Sequence, residues 1–111
     1  MEYDQLKKNR VRIRENSFMA RIGALVLKSQ RMAMVIGSTI HLYNTSKETF
    51  LANESWVKHE LCHVEQYKQY GRAGFILRYL FESIRKGYYH NRFEAEARRA
   101  ESAAEPFHLP K

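Results

Sequence analysis

Residues 56 to 67 read WVKHELCHVEQY, a stretch that contains the pattern HExxH at His59, Glu60 and His63. On a helix, side chains four residues apart lie on nearly the same face, so the two imidazoles can converge on one ion. Glu60 is offset by about 100° around the helix, which places its carboxylate beside a coordinated water and away from the ion itself. In zinc hydrolases the cation lowers the pKa of that water and the carboxylate accepts its proton. The pattern predicts one Zn²⁺ ion, held by both histidines, with Glu60 as general base.

The chain on either side of this motif predicts an α+β fold, with a short N-terminal sheet followed by three helices. Alternation of apolar and polar residues favours strands, while apolar positions three and four apart favour helices. The helix that carries HExxH is expected to begin at a cap on Asn53 or Ser55 and to be the first of the three. The predicted strands span residues 9–15, 32–36 and 39–43, and the predicted helices span residues 18–28, 56–70, 74–86 and 92–104.

Length and composition predict a single domain covering residues 1–111, with irregular tails at 1–8 and 105–111. The chain has one cysteine, which rules out an intrachain disulfide framework and favours a reducing compartment. Its first residues are too charged for a signal peptide, and the apolar run from 18 to 27 is too short to span a membrane. These features together favour a cytoplasmic protein.

The net charge of +7 raises the question of an anionic partner. A solvated basic face is the simpler interpretation, because charge runs alone rarely specify a partner, and no known nucleic-acid-binding pattern occurs. A nucleic-acid partner is therefore not expected. The aromatic stretch FILRYLF at residues 75–81 is assigned to the core, with contact of its apolar and basic face with a membrane surface as the alternative.

A catalytic zinc site needs a third protein ligand, and the sequence leaves several open. Glu94 and Glu96 are two residues apart on a helix and cannot both face the ion. Asn91-x-x-Glu94 is also a capping-box pattern, in which Glu94 would only hold the start of its helix. The candidates are His41, His90, His108, Glu82, Glu94, Glu96, Glu101 and Glu105.

HELCH followed by FEAEA at residues 93–97 resembles the gluzincins, zinc metallopeptidases with HExxH on one helix and a glutamate ligand on a later one. The longer pattern HELxHxxQ…NxxExEA is similar to that of small bacterial proteins described only as zinc peptidases. This resemblance covers about residues 34 to 98 and implies a small zincin-like domain that hydrolyses a peptide or protein substrate. It selects Glu94 as the third ligand, with Glu96 as the less favoured alternative. Arg98 stands where several compact members carry an aspartate.

Further residues are expected around the site. The resemblance implies that the strand before the motif forms the upper rim of the cleft, with Thr39, His41 and Tyr43 binding substrate at a free edge. Gln66 shares a helix face with both motif histidines and could hydrogen-bond one of them. Cys62 is interpreted as a small core residue. A donor to the reaction's oxyanion could come from any of residues 88 to 90, which read YYH.

Two other functions fit the same residues. In the first, a metal only holds the helices of a non-catalytic binding module together, which the short chain favours. In the second, the protein is a basic module that binds nucleic acid or an anionic surface, and HExxH is incidental. Binding that weakens steeply with salt would indicate the latter.

Overall fold

The computed structural model describes residues 10–102. The bounds of the elements are β1 Arg12–Arg14, α1 Phe18–Leu27, β2 Met32–Ile36, β3 Thr39–Tyr43, α2 Lys47–Ala52, α3 Glu54–Tyr70, α4 Arg72–His90 and α5 Arg92–Ala100. A sheet and surrounding helices confirm the α+β class. In the described part of the chain, none of the helices has the length and apolar character needed to cross a membrane.

The three strands form one sheet in the order β1-β3-β2, so β3 lies in the middle. β2 and β3 form an antiparallel hairpin around Gly37, whose positive φ of 65° suits a residue without a side chain. β1 is parallel to β3 and pairs Ile13 with Ile40. Within residues 10–102, β2 therefore has a strand on one side only.

The core lies between this sheet and α3. Ile40 and Leu42 point from β3 toward Val57 and Val64 of α3, and Phe50 of α2 is fully buried beside them. Each such side chain contributes about 1.5–3 kcal/mol through removal of apolar surface from water. Packing against the sheet therefore fixes which face of α3 meets the sheet. The HExxH side chains lie on the rest of the helix surface.

The start of α5 is fixed by one buried amide. The Oδ1 atom of Asn91 accepts a hydrogen bond from the backbone N–H of Phe93 at 2.8 Å and caps the helix. Its Nδ2 group donates to the carbonyl of Tyr79 at 3.0 Å and to the hydroxyl of Ser83 at 2.9 Å. Because Tyr79 and Ser83 belong to α4, Asn91 ties the first turn of α5 to the preceding helix.

The order of helices differs from the prediction in one respect. A short helix, α2, precedes α3, so HExxH lies on the second of four helices after the sheet and not on the first of three. Ser46 caps α2 by accepting a hydrogen bond from the N–H of Thr49 at 3.0 Å. This six-residue helix is too short for an apolar period to stand out in the sequence.

The remaining bounds agree to within a few residues, with one exception. β1 covers only three residues of the predicted 9–15 strand. α4 begins at Arg72 and is broken at Gly87, whose φ of 81° is non-helical, which agrees with the predicted end at Lys86; a further turn follows to His90. Both predicted tails lie outside the described residues, and so do Glu105 and His108.

Candidate metal centre

Three side chains meet where α3 packs against α5. Nε2 of His59 lies 3.1 Å from Oε1 of Glu94, and Nε2 of His63 lies 3.3 Å from Oε2 of the same carboxylate. The ligand atoms of the three residues all lie within 4.8 Å of one another. The group could hold a metal ion. Because the histidines lie on α3 and Glu94 lies on α5, packing of these two helices brings the group together.

The other nitrogen of each imidazole faces a hydrogen-bond acceptor. Nδ1 of His59 is 2.7 Å from a carboxylate oxygen of Glu101, and Nδ1 of His63 is 2.8 Å from Oε1 of Gln66. A carboxylate oxygen can only accept when ionised, so Nδ1 of His59 must carry the proton. In a neutral imidazole the Nε2 atom then has a free lone pair, which is the form that binds metals.

The orientation of Gln66 is itself fixed by its surroundings. Its Nε2 group lies 3.1 Å from the carbonyl of Phe93 and 2.7 Å from a carboxylate oxygen of Glu96. Both partners are acceptors, so this end of the amide must be the NH₂ group and the other end must be the carbonyl. The Nδ1–H group of His63 therefore donates to Gln66, and its Nε2 atom also points a lone pair at Glu94.

When both imidazoles are neutral, their Nε2 lone pairs repel the carboxylate of Glu94 unless positive charge lies between them. Without a metal, protons can supply that charge. Burial lowers the pKa of His59 and of His63, but hydrogen bonds and charge from Glu94 outweigh it and raise both pKa values above the ordinary range. Burial likewise raises the pKa of Glu94, yet its bonds to both imidazoles and to Tyr79 bring that pKa well below its usual value. Without a metal, both imidazoles therefore favour the charged form that pairs with Glu94.

The donor set is one that zinc accepts. Two imidazoles and one carboxylate are a known ligand set of catalytic zinc, with bonds of about 2.0–2.2 Å. Tetrahedral ligands at that bond length are separated by roughly 3.4 Å. In this structure the three ligand atoms lie within 4.8 Å of one another, and the two Nε2 atoms contact different oxygens of the Glu94 carboxylate.

Glu94 faces the two histidines and does not cap its helix. The hydroxyl of Tyr79 on α4 donates to Oε2 of Glu94 at 2.5 Å. The N–H of Asn91, which a capping box would direct to Glu94, bonds instead to the carbonyl of Tyr88 at 3.2 Å. Of the two interpretations of the Asn91-x-x-Glu94 pattern, the structure has Asn91 as the cap and Glu94 beside the histidines.

Glu60 is buried next to the three side chains. Its Oε1 atom has no hydrogen-bond partner among the described residues. Burial raises the pKa of Glu60 to about 8, the nearby His63 opposes that rise, and the charges of Glu94 and Glu101 add to it. A cation held by the neighbouring residues would favour the ionised form and bring this carboxyl into use as a base near neutral pH.

The side chains of the site open into a cavity of about 540 Å³. His59, Glu60, His63 and Glu94 form its polar part. The rest of the wall is mainly apolar and comes from α1, from every residue of β2, and from α3 and α4. A cavity with a few polar groups at one end of an apolar wall is the usual form of a ligand site.

The prediction of a free edge at residues 39–43 is wrong. Because β1 pairs with one side of β3 and β2 with the other, β3 has no free edge over Thr39, Ile40 and His41. Thr39, His41 and Tyr43 do not line the cavity, and Nδ1 of His41 is 2.8 Å from the hydroxyl of Ser17. The strand that borders the cavity is β2, one position further out in the sheet.

Other predicted residues lie around the centre. Glu96 contacts Gln66 and is not part of the metal-binding group. Cys62 is buried against Ala97 and Ala100, and burial raises the pKa of its thiol. All three proposed oxyanion donors are exposed, and of them Tyr88 lines the cavity.

Two contacts of the site were missed in the sequence. Glu101 was considered only as a metal ligand, although its position seven residues after Glu94 places both on one helix face, where it can reach His59. Tyr79 was assigned to the apolar face of its helix, and nothing in its spacing indicates that its hydroxyl binds Glu94.

Comparison with protein-family models, curated proteins and solved structures finds no match to this chain.

Proposed function

We propose that this protein is a zinc-dependent metallopeptidase that hydrolyses peptide bonds by metal-activated water. The observation that carries the proposal is the convergence of the His59 and His63 imidazoles and the Glu94 carboxylate at one end of a cavity that Glu60 also lines. A site that only stabilised the fold would need neither an open cavity nor a buried carboxyl without a partner.

His59, His63 and Glu94 would hold the ion, and Glu101 and Gln66 would keep the imidazoles in the required tautomer. A bound zinc ion polarises a water molecule and a substrate carbonyl. Glu60 would supply the proton acceptor, because it lines the same cavity beside the three ligands. After accepting a proton, Glu60 can pass it to the amine that leaves.

Two further features favour a peptide as substrate. One edge of β2 has no strand partner within residues 10–102, and β2 borders the cavity, so an extended peptide could add to the sheet there through main-chain hydrogen bonds. Tyr88 lines the cavity, and partial burial followed by the charge of Glu94 raises the pKa of its hydroxyl, which is a donor near neutral pH. Tyr88 is the residue best placed to stabilise a developing oxyanion.

Metal analysis tests the first part of the proposal. Purified protein should contain about one zinc per chain, and His59→Ala and Glu94→Ala should lose most of it. Less than about half an equivalent, unchanged in His59→Ala, would rule out the site.

Comparison of Glu60→Gln with the wild type tests the second part. Zinc content should hold while hydrolysis of a mixed peptide library falls by roughly 10²–10⁴-fold, because amide nitrogen and oxygen cannot accept the proton. Glu65→Gln, on the outer side of the same helix, is the matched control and should retain activity. If the zinc-loaded wild type cleaves nothing in the library, the metal-stabilised binding module becomes the better description.

A further inference from the structure

Two helices beside the cavity expose apolar side chains to an unusual extent. On α1, Phe18, Leu25 and Val26 are 70%, 71% and 72% exposed, because only Ala20 and Ala24 are buried in the fold. A globular domain of this size rarely leaves so many large apolar residues in water unless they serve a contact.

The same is true of the outer side of α4. Leu77, Phe81 and Ile84 are 68%, 58% and 84% exposed, while Phe75 and Glu82 occupy the buried side. We call the set on both helices the two-helix apolar face. Its residues are Phe18, Ile22, Leu25, Val26, Leu77, Leu80, Phe81 and Ile84.

The face is continuous with the cavity wall. On α1, Met19 and Gly23 line the cavity, and the helical period places Val26 and Ile22 directly beside them. On α4, Leu80 belongs both to the cavity wall and to the exposed set, and Ile84 follows one turn later. The apolar wall of the cavity therefore extends outward along both helices.

Basic residues flank the face, and acidic residues are absent from it. Arg21 and Lys28 belong to α1 and its C-cap, and Arg78 and Arg85 lie along one edge of the α4 face. None of these four forms an ion pair with a carboxylate among the described residues. The one acid of α4, Glu82, lies on the buried side and pairs with lysine and arginine there.

We infer that the two-helix apolar face docks on an anionic lipid bilayer. Exposed apolar side chains between cationic residues are the pattern of interfacial helices, whose apolar side enters the headgroup boundary while lysine and arginine meet anionic lipid. The net charge of +7 attracts the chain to such a surface. The cavity wall would then open toward the lipid. This inference concerns a different surface from the metal centre and does not depend on hydrolysis.

A second copy of the chain fits the same face less well. Self-association would cover the apolar residues, but it would also bring the cationic edges of two molecules with a net charge of +7 together. Anionic lipid satisfies the apolar and the basic residues at once. Dimer formation is therefore the competing outcome that the experiment must detect.

Vesicle co-sedimentation tests the inference with the full chain. Wild-type protein should bind vesicles of phosphatidylcholine with about 30% phosphatidylglycerol, bind much less to phosphatidylcholine alone, and dissociate as salt is raised. The double variant Leu77→Ser with Ile84→Ser should bind roughly tenfold or more weakly, since two exposed side chains no longer enter the lipid. Tyr89→Ser removes an exposed ring outside the face and should bind as the wild type does.

The charge contribution has its own pair of variants. Arg78→Gln with Arg85→Gln should weaken binding by roughly 30-fold, because each basic residue near an anionic surface contributes about 1 kcal/mol. Arg12→Gln with Arg14→Gln removes the same charge from β1 and should have a smaller effect. Equal loss in both double variants would refute a docking role for this face.

Two other results would overturn the inference. The first is failure of the wild-type protein to bind the anionic vesicles at low salt. The second is a wild-type dimer, seen by analytical ultracentrifugation, that Leu77→Ser with Ile84→Ser converts to a monomer. Circular dichroism of each variant, compared with wild type, separates loss of binding from loss of fold.

Discussion

Replacing Gln66 with methionine should weaken metal binding and destabilise the fold at the same time. Gln66 is fully buried between α3 and α5, where it accepts from His63 and donates to Phe93 and Glu96. Methionine has nearly the same length and shape but offers neither a carbonyl nor an NH₂ group. The substitution therefore removes the hydrogen bonds and leaves the packing nearly intact.

The magnitude follows from the groups left behind. The buried Nδ1–H group of His63 loses its acceptor, at a cost of about 1–3 kcal/mol, and the lost bond to Phe93 adds about 1 kcal/mol. A total near 3 kcal/mol is a large part of the 5–15 kcal/mol that stabilises a typical domain. It should lower the Tm by about 10 °C. Zinc affinity should fall by about 10–100-fold, because the imidazole ring is no longer held in one tautomer.

Urea unfolding and zinc titration against a competing chelator measure the two effects separately. Gln69→Met is the matched control, since it makes the same chemical change on the exposed side of the same helix. It should alter the free energy of unfolding by less than about 0.5 kcal/mol. If Gln66→Met leaves zinc affinity at the wild-type value, the tautomer argument for His63 is wrong, whatever happens to stability.

Three further outcomes are expected. Phe50→Ala should lower the free energy of unfolding by about 3–5 kcal/mol in urea, because the ring is fully buried in the main core. Glu101→Ala should weaken zinc binding by about tenfold in the chelator assay, since His59 loses the acceptor of its Nδ1 proton. Chelator-treated protein should lose stability as the pH rises above the ordinary histidine pKa of 6.5. The imidazoles, whose pKa values are raised, then lose the charge that pairs with Glu94. If the free energy of unfolding in urea stays constant across that change in pH, the charged pairing of these imidazoles with Glu94 is wrong.

Much of the centre could be predicted from local spacing. The i and i+4 positions of His59 and His63 determine their common face on any helix, and Gln66 follows three residues later. The structure places these residues together on α3, with Glu94 opposite. Glu94 was chosen over Glu96 by resemblance and not by geometry, since the distance between two helices is not encoded in the spacing of either one.

The errors arose where long-range pairing decides the structure. β1 is three residues long, and nothing in its sequence shows that it joins β3 in parallel and displaces the free edge to β2. The contact of Tyr79 with Glu94 depends on the packing of α4 against α5, two helices that the buried Asn91 amide links. Such contacts override local patterns, which report only the preferences of each segment.

The placement of His63 and Glu94 on separate helices has a thermodynamic consequence for a bound ion. A metal shared by these residues would be a cross-link that closes a loop of about 30 residues, comparable to a disulfide of that span. By loop-closure entropy such a link would reduce the freedom of the unfolded chain by about 3–4 kcal/mol, provided that the ion remains bound. In a domain with a modest core, the bound ion would then contribute as much free energy to cooperative folding as a group of buried side chains does.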